Sequence, residues 1–155
     1  MARVILLFVF FVSTPASAQT EMVRQKEFNT ESGLALAGYD PVTYFDGQPR
    51  KGHKGISHVQ DGIRYHFINT RNRDRFLKSA GAFEPAYGGW CAYAMGESGE
   101  KVKVDPQTFK IIDGKLYLFY NFWGNNTLTS WNKNEKKLKT TADKNWQSII
   151  RMPIE

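Results

Sequence analysis

The chain has 155 residues, 41% of them hydrophobic and 23% charged, with 21 basic against 15 acidic side chains and a net charge of +6. That length suits one ordinary domain that buries a core without staples, and the single cysteine excludes an internal disulfide. No basic stripe interleaved with stacking aromatics stands out, which argues against a nucleic-acid partner.

The first stretch, "MARVILLFVFFVSTPASAQT", carries Arg3, an apolar run of nine residues from Val4 to Val12, and the small-x-small sequence Ala16-Ser17-Ala18. This is the pattern of a signal peptide over residues 1–18, cleaved after Ala18. The expected product is an exported protein, periplasmic or secreted, with a single domain over residues 19–155. Nine helical residues rise only about 14 Å, against the roughly 20 residues that span a bilayer, so no integral membrane anchor is expected. Loss of Arg3 lowers the net charge by one and leaves weak attraction to anionic surfaces.

Beyond the leader, Asp46-Gly47, Asp61-Gly62 and Asp113-Gly114 fall among aromatic and β-branched runs, and Asp-Gly favours the type I′ hairpin turn. The last two pairs read as hairpins, joining "ISHVQ" to "IRYHF" and "TFKII" to "KLYLFYN". In the latter, Leu116, Leu118 and Tyr120 fall on one face with Tyr117 and Phe119 on the other, so both faces are expected to be covered. Between the hairpins, Asn69 is a candidate N-cap for a helix over "TRNRDRFLKSA", with Phe76, Leu77 and Ala80 on its apolar side and Gly81 placed to end it. "WCAYA" reads as a strand, Trp90, Ala92 and Ala94 facing opposite to Cys91 and Tyr93. Trp131 and Leu138 suggest a further helix, and Thr140 with Asp143 reads as a capping box opening a last one through Trp146, Ile149 and Ile150. Asp40-Pro41 and Asp105-Pro106 read as turn and strand-entry chemistry. The basic stretch from Asn132 to Asn145 reads as a solvated helical face. The predicted class is α+β: a small antiparallel sheet built from hairpins, with a few packed helices.

"GYDPVTYF", "YHF", "RNRDRFL", "YGGWCAYA", "VDPQTF" and "DGKLYLFYN" resemble, in this order, the exported branch of the YHS-domain family, from about Gly33 to Ile149. The resemblance implies a single YHS-type domain over residues 19–155. The family's short domains are metal modules with one cysteine in a "DPVCGM"-like segment and another just after "Y-H-F". Here Thr43 and Ile68 stand at those positions, which removes both thiolates. Some proteins similar to the long branch carry selenocysteine at the position of Cys91, which implies redox or soft-ligand chemistry there.

Taken from the residues alone, Cys91 is a buried inert thiol, a reactive thiol, a metal or cofactor ligand, or half of an intermolecular disulfide. Gly88 and Gly89 permit positive φ and close approach just before it. A functional thiol needs access and a neighbouring base, cation or helix N-terminus, which must arrive through the fold. His66 on a predicted central strand is the first candidate, with His58 in the same hairpin. With Met95, these sulfur and nitrogen donors would suit copper(I). Cys91, His66, His58 and Met95 are therefore the candidate metal ligands, and Tyr65, His66 and Tyr93 the candidate ligand-binding residues. The leading expectation is non-enzymatic binding of a metal, copper favoured, or of a small molecule near Cys91 and His66. The alternatives are a thiol-based oxidoreductase with Cys91 as its catalytic nucleophile, and a structural interaction module.

Overall fold

The computed structural model describes residues 16–151, with side chains from Thr20 onward. The expected leader therefore lies outside the described residues, apart from Ala16–Ala18 at the start of the first helix, α1 (Ala16–Glu27). The domain is α+β, as expected. No helix among the described residues is long and apolar enough to cross a membrane.

Two hairpins organise the domain. β3 (His53–Gln60) and β4 (Ile63–Phe67) turn at Asp61-Gly62, with φ of 44° and 81°, and pair antiparallel. β5 (Asp105–Ile112) and β6 (Lys115–Phe119) turn at Asp113-Gly114, with φ of 50° and 72°. Left-handed backbone at both central residues is what a type I′ turn requires. The short strands β1 (Thr30–Glu31) and β2 (Leu34–Ala35) extend the first hairpin into a sheet ordered β1-β2-β4-β3, in which β2 and β4 run parallel. β4, with its "YHF", is thus an inner strand.

β6 divides the core in two. Leu116 and Leu118 point into a cluster with Ile63, Tyr65 and Phe67 of β4 and with Phe76 of α2 (Thr70–Lys78). Tyr117 and Phe119 point into the other cluster, with Trp131, Leu138, Met95 and Ala142. The alternation seen in "KLYLFYN" is therefore a wall covered on both faces, with side chains sent alternately to each.

The helices follow the sequence less closely. Asn69 caps α2 as expected, its side-chain oxygen accepting from Asn72 N–H at 2.8 Å. Leu77, however, is 47% exposed, and Gly81 does not end this helix. The chain leaves it at Ser79, and Gly81 lies inside the next short helix, α3 (Ala80–Phe83). "WCAYA" is not a strand: Cys91 precedes α4 (Ala92–Glu97), and Met95 N–H closes the first turn on Cys91 O at 3.0 Å. Trp131 lies on α5 (Thr127–Lys133) and Leu138 on α6 (Glu135–Arg151). Thr140 and Asp143 start nothing, because α6 begins at Glu135 and runs through both. The Thr140 hydroxyl instead donates back to Lys136 O, and Asp143 accepts from Tyr87.

Between β6 and α5, β7 (Asn121–Phe122) and β8 (Asn125–Asn126) form a small hairpin. At its tip Trp123 is 93% exposed. α1 packs across the domain: Asn29, just past its end, binds the carbonyls of Gly88 and Gly89, and Trp90 Nε1 donates to Glu27 O at 2.7 Å.

Candidate functional site

Cys91 sits where the chain turns from one kind of backbone to another. Tyr87, Gly88 and Gly89 are all left-handed, with φ of 53°, 59° and 87°. A Cβ on Gly88 would lie 2.7 Å from the Trp146 ring, so glycine meets both the conformation and the close approach. The chain then runs parallel to β6, with Cys91 bridged to Leu118, before α4 begins.

The thiol is fully buried. Its sulfur accepts the Tyr120 N–H at 3.3 Å and lies 3.4 Å from Thr127 Oγ1. That hydroxyl donates its one proton to Tyr120 O at 3.0 Å, so the Cys91 S–H is the donor toward Thr127 Oγ1. The result is a closed ring of hydrogen bonds through Cys91, Thr127 and both backbone groups of Tyr120. Above it opens a cleft of about 250 Å³ walled by Tyr93, Ala94, Val102, Tyr120 and Asn125, with exposed Glu97 at its edge. Cys91 borders this cleft without presenting surface to solvent.

Of the expected site residues, only Tyr93 shares this cleft with Cys91. Met95 is buried in the core cluster around Trp131. His66 and His58 are on the four-stranded sheet and point to opposite faces of it. His58 lies opposite Tyr65 on the covered face, whereas His66 lies opposite Ser57 on the outer face with Arg64. The His66 ring lies against Gly38, and burial, with Arg64 and Lys54 nearby, lowers its pKa from 6.5. Among the described residues no group of three or more His, Cys, Asp or Glu side chains assembles a metal centre. One sulfur that already accepts an N–H, beside a hydroxyl, is not the soft sulfur-and-imidazole set that copper(I) requires, so these residues do not fit that metal.

Tyr65 belongs to a different network. Its ring is fully buried and its hydroxyl donates to Glu84 Oε1 at 3.0 Å, while Arg24 forms an ion pair with the same carboxylate. Burial and the neighbouring carboxylate push the Tyr65 phenol well above its usual pKa of 10.0.

Thr43 and Ile68, the positions that the family resemblance marks for thiolates, are both hydrogen-bonded to one residue, Asp40, Thr43 to its main-chain carbonyl and Ile68 to its carboxylate. Buried Asp40 accepts from Val42 N and Ile68 N, and from Asn72 Nδ2, all between 2.8 and 2.9 Å, while the Thr43 hydroxyl donates to Asp40 O. Every acceptor there is engaged in holding the loop to β4 and α2, in keeping with the structural reading of Asp40-Pro41.

Nothing in the sequence marks Thr127 and Tyr120 as partners of the thiol. They lie 36 and 29 residues from Cys91, and neither carries a local signature of that role. Compared with known proteins, the chain matches no family model, no curated protein and no solved structure.

Proposed function

We propose that the protein is a non-enzymatic binding protein that holds a small, largely apolar molecule in the cleft above Cys91. The observation that carries this reading is the cleft itself: tyrosine and aliphatic walls over a floor whose polar atoms are all paired with one another. Such a floor offers a ligand contact area and an adaptable sulfur, and little that would bind water in its place. At about 250 Å³ the cleft takes a single fused ring rather than a large cofactor. The resemblance to exported YHS-domain proteins is consistent with a binding role outside the cell interior.

The test is titration of the protein with indole, a neutral bicyclic probe, followed by amide shifts in ¹H–¹⁵N spectra. Saturable shifts are expected at Tyr93, Val102 and Tyr120. Ala94→Phe, which fills the cleft from its wall, should weaken the interaction about tenfold. Equal affinity in the filled variant would overturn the assignment.

A second reading, thiol oxidoreduction, is favoured by one geometric fact: the Tyr120 N–H is aimed at the sulfur, where it would stabilise a thiolate. The Cys91 thiolate would attack a hydroperoxide, forming an S–O bond as the O–O bond breaks and the alcohol leaves with a proton. An external thiol would then release water and form a mixed disulfide, and a second would free Cys91 as the external disulfide departs. Addition of one oxygen to the folded protein by stoichiometric peroxide, read by intact mass, supports this reading. A thiol untouched until denaturant is added supports binding alone.

A further inference from the structure

A second cleft, of about 370 Å³, lies between α1, the segment 84–88, β6 and α6. Its charges are unevenly matched. Both Glu84 oxygens are held by Arg24, and one of them also by Tyr65. Both Asp143 oxygens are engaged as well, by the Tyr87 hydroxyl at 2.8 Å and Lys139 Nζ at 3.2 Å. Lys115 is different. Its ammonium donates to one neutral acceptor, Gly81 O at 2.9 Å, which leaves two donors unused. Burial of this amine lowers its pKa from 10.5, and the nearby Glu84 carboxylate, held by Arg24, offsets that only in part. With each carboxylate matched by its own cation, one positive charge is left over, on Lys115.

The rest of the cleft is aromatic. Phe28 and Trp146 meet edge to face at 5.8 Å, and Tyr87 packs on Tyr117 at 5.6 Å. Tyr87 also holds a left-handed backbone, φ 53°, which a bulky side chain rarely adopts, and its hydroxyl is fastened to Asp143. Strain of this kind fixes the ring at the wall of the cleft.

We propose that this cleft is a second ligand site, for a small organic monoanion whose carboxylate or equivalent acid group sits on Lys115 and whose apolar ring lies against Phe28 and Trp146. Engaged carboxylates exclude a cation as the occupant, and the aromatic walls favour an anion with an apolar body over a bare inorganic one.

The probe is benzoate, titrated into the whole mature chain and followed by the Trp146 indole N–H resonance, with acetate and inorganic phosphate as comparisons. Benzoate should bind saturably, and acetate and phosphate at least tenfold more weakly. Lys115→Met should weaken benzoate about tenfold, and Lys115→Arg should keep it. Loss of a desolvated ammonium leaves the fold intact, which the unfolding midpoint of Lys115→Met checks, and indole uptake at the Cys91 cleft should be unchanged in the same variant. Absence of benzoate binding, equal binding by Lys115→Met, or phosphate binding as tightly as benzoate would each overturn the proposal.

Discussion

The two clefts share the segment from Glu84 to Ser98 as a wall, yet they solve burial in opposite ways. At Cys91 the buried polar atoms are uncharged and close on one another in a ring, so nothing beyond three residues is needed to satisfy them. At Lys115 the polar groups are ions. Buried Glu84 takes its cation, Arg24, from 60 residues away, while exposed Asp143 pairs with Lys139 on its own helix and takes the Tyr87 hydroxyl from 56 residues away. Lys115 has no carboxylate partner of its own among the described residues. The uncharged site can therefore be altered at modest cost, whereas the charged one is bound up with the fold.

The hardest test of that contrast is Glu84→Ala. It leaves the Arg24 guanidinium without its carboxylate, with only 15% of that side chain exposed, and it removes the acceptor of the Tyr65 hydroxyl. The expected loss is about 3 kcal/mol, read from urea unfolding. Tyr65→Phe, which keeps the ion pair, should cost only about 1 kcal/mol. A cost for Glu84→Ala no larger than for Tyr65→Phe would erase the distinction between the two clefts.

Next in size is the protection of Cys91. Because its sulfur has no solvent contact, iodoacetamide should modify the native protein about 100-fold more slowly than the denatured one, limited by local opening. Equal rates would mean that the cleft floor is open in solution.

Thr127→Val should then cost about 1.5 kcal/mol, since it removes the hydroxyl between Cys91 and Tyr120 at nearly constant volume. Benzoate binding at Lys115 should not change, and a change would show that the two clefts are coupled.

The smallest effect belongs to neither cleft. His66 has a lowered folded pKa, so the fold favours its neutral form. Stability from this source is complete above the unfolded value of 6.5 and is lost as pH falls through 6.5 toward the lower folded value. His66→Gln should flatten the decline of stability between pH 7 and 5 slightly. An unchanged slope would remove His66 from the acid response.

Features determined by neighbours in sequence were the legible ones. Asp-Gly turns demand positive φ at two adjacent residues, Asn69 caps a backbone N–H three residues on, and alternation in β6 follows from the pleat alone. Local pattern misleads where a distant partner overrides local preference. Asp143 looks like a capping residue until Tyr87 arrives to bind it inside a continuous helix. "WCAYA" has a strand's alternation, but Gly96 lets the α6 backbone at Leu138 come so close that a Cβ would sit 2.6 Å from its carbonyl, and the segment is helical against it. The thiol was visible as the only cysteine, and its ring of partners was not, because a buried threonine hydroxyl and a backbone amide have no sequence signature.

The docking of α1 sets an order of events in folding. Glu27 is bound by Trp90 and Lys101, 63 and 74 residues downstream, and Phe28 packs on Trp146 near the end of the described chain. Contacts of such long range close late, after the hairpins and α2 have formed from local interactions. Although α1 emerges ahead of these elements, it is among the last to be fastened, and a nascent chain that has not yet delivered α6 leaves Phe28 without its cover.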